Sequence, residues 1–229
     1  MVVCHTFSIV AKCPRTNELG VAVATALPAV GSLVPYVRAN VGAIATQAFV
    51  NPYAGINGLR ALESGQTAEE ALTSVVTADK AAELRQISIV DVTGEVAIHT
   101  GEKCPDIKGS ITGKGYAIAG NLLANDTVLE NMQRAFLQAK ENSLTERLIR
   151  ALEAGERAGG DKRGKQSAAL YVVRDEPYPL MDIRVDEHDE PVTELRRVLE
   201  ITQEKLSPFI AQLPSKNYPS GRMIPRDEK

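Results

Sequence analysis

Apolar and polar positions alternate along much of the chain, and the spacing switches between strand-like and helix-like several times. HTFSIVAK and LGVAVATA are rich in small and β-branched residues and flank the turn-forming CPRTNE, which predicts a β-hairpin. GAIATQAF predicts a third strand. Helical spacing then covers GINGLRALESG, closing at Gly65, and TAEEALTSVVTAD, where Thr67 and Glu70 stand in capping-box register. RQISIVDV and EVAIHTG, joined at Thr93-Gly94, predict another hairpin, and GYAIAGN one more strand. NDTVLENMQRAFLQA and SLTERLIRALEAG read as helices, the second opening on Ser143 and Glu146 in the same capping register. After the loop ERAGGDKRGK come the strands QSAALYVV and LMDIRV, then a helix over PVTELRRVLEITQEKL. The stretch from Ser207 has prolines and no period, and reads as a docked arm or a disordered end.

Strands in hairpins and helices in pairs point to an α+β fold of antiparallel sheets packed face to face with helices outside, rather than to an alternating βαβ sheet. GVAVATA and SAALYVV are nearly continuous apolar runs, as strands covered on both faces should be. A chain of 229 residues, 44% hydrophobic, is long enough to bury a full core. Its 26 basic and 29 acidic residues leave a net charge of −3, which gives no field suited to nucleic acid or to an anionic membrane. Cys4, Cys13 and Cys104 are few and odd in number, which argues against a disulfide framework and for a reducing, cytoplasmic setting. MVVCHTF lacks the basic start and long apolar run of a secretion signal. The uncharged stretch from Gly20 to Val37 has the length of a membrane span, but Pro28 and Pro35 break it, so a strand followed by a buried loop is expected.

Two motifs invite chemistry that their context does not support. GGDKRGKQ matches the phosphate-loop pattern from Gly159 to Lys165, but Gln166 stands where a magnesium-binding Ser or Thr is needed. A phosphate loop also leads from strand to helix, and this one leads from helix to strand. His5, His99 and His188 lie far apart with no zinc-site spacing, so no metal and no cofactor is expected.

The opening CHTFSIV offers a different chemistry. Strand period places Thr6, Ser8 and Val10 on one face and Phe7, Ile9 and Ala11 on the other. A threonine within an intact chain is a poor nucleophile. If residues 1–5 were removed, Thr6 would carry both a hydroxyl and a free α-amine of ordinary pKa about 8, a base able to take the hydroxyl proton.

The segments HTFSIVAK, LGVAVATALPAVGSLVPYVRANVGAIATQAFVNPYAG, ITGKGYAIAGNLLA, ALEAGERAGGDKRGKQSAALYVVR and DIRVDEHDEPVTELRRVL resemble, in that order, domain-of-unknown-function family 1028, over Thr6 to Leu199. The resemblance implies the N-terminal nucleophile (Ntn) hydrolase fold, a four-layer αββα sandwich of two antiparallel sheets between helical layers. Family members usually begin Met-Thr-Phe-Ser-Ile-Val-Ala, so that loss of methionine bares a threonine, and Thr6 occupies that place. Residues 1–5 are extra to that pattern and form a leader to be removed, ahead of a domain over residues 6–206 and an arm or tail over 207–229. Around Thr6, Thr46 and Gln47 could bind substrate or serve only a strand edge. Asn121 could donate to an oxyanion or cap a turn. Arg163 could clamp a substrate carboxylate, with Asp161 holding Arg163 or the α-amine, or the loop could be a solvated charge run.

The leading expectation is an amidohydrolase that cleaves a non-peptide C–N bond of a small amide, imide or ureide through an acyl-enzyme on Thr6. The first alternative is a non-catalytic small-molecule-binding protein whose leader covers the threonine. The second is a cysteine enzyme using Cys4 and His5, although neighbours on a strand point to opposite faces. The apolar segment from Leu27 to Tyr36 further predicts a homodimer that covers it.

Overall fold

In the computed structural model, which describes residues 6–222, the period-two stretches become ten strands in two antiparallel sheets. The strands β1 (Thr6–Lys12) and β2 (Leu19–Thr25) form the first hairpin, closed where the Cys13 N–H donates to the Glu18 carbonyl at 2.8 Å. Next come β3 (Pro35–Arg38), β4 (Gly42–Ala48), the helices α1 (Pro52–Glu63) and α2 (Ala68–Ala78), and the hairpin β5 (Arg85–Asp91) with β6 (Val96–Thr100). The chain continues through β7 (Gly109–Gly113), β8 (Tyr116–Gly120), α3 (Val128–Gln138), α4 (Leu144–Arg157), β9 (Ser167–Val173), β10 (Met181–Val185), α5 (Pro191–Lys205) and α6 (Ser207–Ile210). One sheet has the order β10-β9-β2-β1-β8-β7 and the other β3-β4-β5-β6.

Alternation sorts the side chains into three apolar layers. Phe7, Ile9 and Ala11 of β1 face helices α3, α4 and α5, where they pack with Met132, Leu148, Leu152 and Leu195. Val10 faces the other way and joins Val21, Val23, Ala43, Ala45 and Val90 between the sheets. Ile44, Ile87 and Ile89 point outward from the smaller sheet to Leu59, Leu72 and Val75 of α1 and α2. The order is therefore helices, sheet, sheet, helices. Each buried aliphatic side chain is worth about 1.5–3 kcal/mol, and a one-residue slip of β1 would turn every one of its side chains to the wrong layer, so burial on both faces fixes its register.

The predicted caps form with one change. Thr67 and Glu70 make the reciprocal capping box. Ser143 caps α4, but the Glu146 carboxylate turns to Arg196 at 2.6 Å and ties α4 to α5. Two strands, β3 and β7, are additions to the sequence expectation; both are short edges, one starting at a proline and the other bounded by glycines. In the stretch expected to need a partner, the chain itself buries Val30 and Val34, while Pro28, Ser32 and Leu33 are exposed, Leu33 at 39%. Past α6 the chain is a docked arm as far as residue 222, held where the Tyr178 hydroxyl donates to the Pro214 carbonyl and the Lys216 N–H to Glu176. Among the described residues no helix is long and apolar enough to cross a membrane.

Candidate functional site

Between the sheets the valines give way, at one end, to hydroxyls and amides. Register sets Thr6 opposite Thr25, and Thr25 opposite Ser167, so three hydroxyl residues stand in a row, all buried. Gln47 and Gln86 are cross-strand partners on β4 and β5 and face them from the smaller sheet. Asn121, directly after β8, completes the group, and Thr6 and Asn121 are both 0% exposed.

A buried amide left without partners costs about 1–3 kcal/mol, so these side chains must satisfy one another. Ser8 Oγ donates to Gln47 Oε1 at 2.6 Å. Gln47 Nε2 donates to Gln86 Oε1 at 2.8 Å and, at 3.4 Å, to the Thr6 carbonyl. Asn121 Nδ2 donates to the same Gln86 oxygen at 3.0 Å, and its backbone N–H to the Thr6 carbonyl at 3.1 Å. Gln86 Nε2 faces Thr100 Oγ1 and the carbonyls of Gly109 and Gly120, all at 3.0–3.1 Å. Gln86 thus joins the two sheets. It was absent from the sequence expectation, where RQISIVDV read only as a strand; its signal was a large amide on the face that the rest of β5 shares with Val90.

The backbone here is strained. Ala48 (φ 64°) directly follows Gln47, and Leu122 (φ 48°) directly follows Asn121. A left-handed conformation costs a side-chain-bearing residue about 1–2 kcal/mol, and such strain gathers at functional sites. The turn after Ala48 is clamped by a buried ion pair. Arg85 Nε donates to Asp79 at 2.8 Å and Arg85 Nη1 to the Phe49 carbonyl at 2.5 Å, with the guanidinium 4.6 Å from the Phe49 ring centroid. Burial alone would raise the Asp79 carboxyl, but hydrogen bonds from Arg85, the Ala81 N–H and Asn51, with the Arg85 charge, bring it down to about 2.

A distant segment closes the end of the sheet at Thr6. β1 runs between β2 and β8, and beyond β8 the chain continues through Asn121 to Leu122, Leu123 and Ala124. The loop after α4 pairs with these last three residues. The Lys162 N–H donates to the Leu122 carbonyl at 3.0 Å, Asp161 bridges Leu123, and the Ala124 N–H donates to the Gly160 carbonyl at 2.9 Å. On the other side the Ala26 N–H donates to Asp161 Oδ2 at 3.0 Å. Gly160 to Lys162 therefore stand in line with β1 along the same neighbour.

Asp161, with its side chain 1% exposed, closes this junction and holds Arg163 through contacts of 2.7 Å to Nη2 and 3.2 Å to Nε. Lys165 fastens the loop from outside, 2.6 Å from Glu190 and 3.6 Å from Glu156, whose carboxyl burial pushes up. The loop joins a helix to a strand, as the rejection of a phosphate loop required. Of the expected site residues, Thr6, Gln47, Asn121, Asp161 and Arg163 gather at this end of the sandwich. Thr46 does not: it shares the outward face of Ile44 and exchanges hydrogen bonds of 3.3 and 3.4 Å with the backbone of Asn51, because successive residues of β4 point to opposite sides. Cys4 and His5 lie outside the described residues. Among those described, no group of three or more His, Cys, Asp or Glu is placed to hold a metal ion.

The model of the family of unknown function DUF1028 matches residues 6–195. The chain belongs to this family. The DUF1028 match starts at Thr6, the first residue of β1, and stops within α5 before the arm. Protein SPO2555 from Silicibacter pomeroyi, whose crystal structure carries the same family description, is similar over 96% of this chain and 100% of its own, at 32% identity and a TM-score of 0.87. Anbu (ancestral beta-subunit) from Yersinia bercovieri is similar over 91% of this chain and 98% of its own, at 12% identity and a TM-score of 0.39, too low to carry an inference. No curated protein matches the chain.

Proposed function

We propose that this DUF1028 protein is an Ntn-type amidohydrolase that opens the C–N bond of a small amide, imide or ureide, with Thr6 as nucleophile after removal of residues 1–5. The reading rests on one observation above others: Gly160–Lys162 pair with Leu122–Ala124 in line with β1, which brings Asp161 and Arg163 to the end of the sheet where Thr6 stands. The start of the family match at the same residue supports it, as does the arrangement of two antiparallel sheets between helices.

In the trimmed chain the α-amine of Thr6 emerges at the junction that Asp161 closes. The amine takes the hydroxyl proton as Thr6 Oγ1 attacks the substrate carbonyl, and returns it to the leaving nitrogen as the C–N bond breaks. Water then hydrolyses the ester and restores the hydroxyl. The oxyanion is assigned to Asn121, a buried amide donor that adjoins Thr6 through its backbone N–H and donates from Nδ2 to Gln86. Arg163, 32% exposed at the side chain, suits a substrate that bears a carboxylate.

The burial of Thr6, Gln47 and Asn121 favours a second reading, a non-catalytic binding protein whose leader keeps the threonine covered. Protein made to start at Thr6 through ordinary methionine removal separates the two. A panel of small amides, imides and ureides should be turned over by that protein and not by the full-length chain. Thr6→Ala in the trimmed chain should lower kcat by about a thousandfold or more, the scale of losing a covalent nucleophile. Equal turnover by full-length protein, or a retained rate in Thr6→Ala, would rule the Thr6 mechanism out.

A further inference from the structure

Gln86 meets five partners at the polar end of the sandwich, yet it lies on β5, in the sheet that does not contain Thr6. Its Oε1 receives Nε2 of Gln47 at 2.8 Å and Nδ2 of Asn121 at 3.0 Å. Its Nε2 is directed at Thr100 Oγ1 and at the Gly109 and Gly120 carbonyls, which accept only, so the amide has one orientation that satisfies its surroundings. Gln47 is fixed in turn, since its Oε1 takes the Ser8 hydroxyl and its Nε2 points to Gln86 and Thr6. Gln47 and the Asn121 backbone N–H then meet on a single atom, the Thr6 carbonyl oxygen, at 3.4 and 3.1 Å.

We infer that Gln86 is a positioning residue for the chemistry at Thr6: by fixing the amides of Gln47 and Asn121 it sets where the Thr6 backbone, and with it the hydroxyl and the α-amine, stands. This rests on the reading of Thr6 as nucleophile. The left-handed residues Ala48 and Leu122 sit one step beyond the two amides, so Gln86 holds together two strained turns that approach Thr6 from opposite sheets. Gln86 is buried in the sheet opposite Thr6 and acts through its neighbours.

The test uses protein beginning at Thr6, which keeps every described element of the fold because β1 itself begins there. The probe is p-nitrophenyl acetate. Thr6 Oγ1 forms a bond to the acetyl carbon, the bond to p-nitrophenolate breaks, and the hydroxyl proton passes to the α-amine. The rate is taken as the excess over Thr6→Ala. Gln86→Leu removes both halves of the amide and should lower kcat about a hundredfold with KM changed less than threefold, the scale of a misplaced reacting group. Gln86→Glu covers the case in which the leucine variant does not fold. Its carboxyl still accepts from Gln47 and Asn121, and donates toward the Gly109 and Gly120 carbonyls only when protonated. Its rate relative to the parent should therefore be near one at low pH and fall as pH rises, in a window above the ordinary carboxyl range because the site is buried. Absence of any Thr6-dependent release in the parent would overturn the Thr6 reading, and this inference with it. Thr6-dependent release in the parent, matched by Gln86→Leu within threefold or by a pH-independent ratio for Gln86→Glu, would overturn the inference alone.

Discussion

Replacing Asp79 by asparagine tests whether the turn beyond Gln47 is held by charge. The carboxylate and the Arg85 guanidinium are each 9% exposed, so solvent screens them little. In the folded protein the carboxyl is held down at about 2, against an ordinary value of 3.8. At 1.36 kcal/mol for each pH unit, that difference contributes about 2 kcal/mol of stability. Because the folded value is the depressed one, the contribution is fully present above pH 3.8 and is lost as pH falls through about 2. Asp79→Asn keeps the shape, removes the charge and leaves Arg85 buried without its counter-ion. Breaking a buried pair costs about 3–5 kcal/mol. Here Arg85 retains the Phe49 carbonyl and ring, so a loss of about 2–3 kcal/mol at pH 7 is expected. Urea unfolding followed by circular dichroism at pH 7 and near pH 2 measures it, with the slope against urea unchanged so that midpoints report stability. The gap between parent and variant should close at the acid end, where the parent's own carboxyl is protonated. A difference below about 0.5 kcal/mol at pH 7, or one that does not shrink in acid, would refute this role for the ion pair.

Gly160→Ala tests the segment in line with β1: at a φ of 54° the new methyl meets the Phe7 ring at 3.0 Å, and a loss of about 1–2 kcal/mol in thermal or urea unfolding is expected. Arg196→Leu removes the contacts that join α4 to α5, 2.6 Å to Glu146 and 2.7 Å to Glu153, and should cost about 2 kcal/mol at low salt and less at high salt in the same assay.

The strands with one face on each apolar layer were legible in the sequence because alternation and burial coincide: TFSIVAK, LGVAVAT and SAALYVV are in place within a residue or so. So were the helix starts at Thr67 and Ser143, since a cap is a local event. β3 and β7 were not, because a short edge strand draws half its pattern from solvent. At the site, sequence pointed to Gln47 but could not separate it from Thr46. Adjacent residues on one strand differ only in facing, and which of them faces β1 is set by how the sheets stack. Gln86 was hidden for the same reason. The junction at Thr6 was furthest from view: Gly160–Lys162 reach the line of β1 across more than 150 positions of sequence, and no local pattern records that.

The most direct measurement of the central claim is the intact mass, with N-terminal sequencing, of the protein fraction that carries hydrolytic activity. The Thr6 mechanism predicts that every active chain begins at Thr6, whatever agent removed the leader, and that chains retaining Met1 or Val2 are inert. Activity that tracks a chain with residues 1–5 still attached would contradict it.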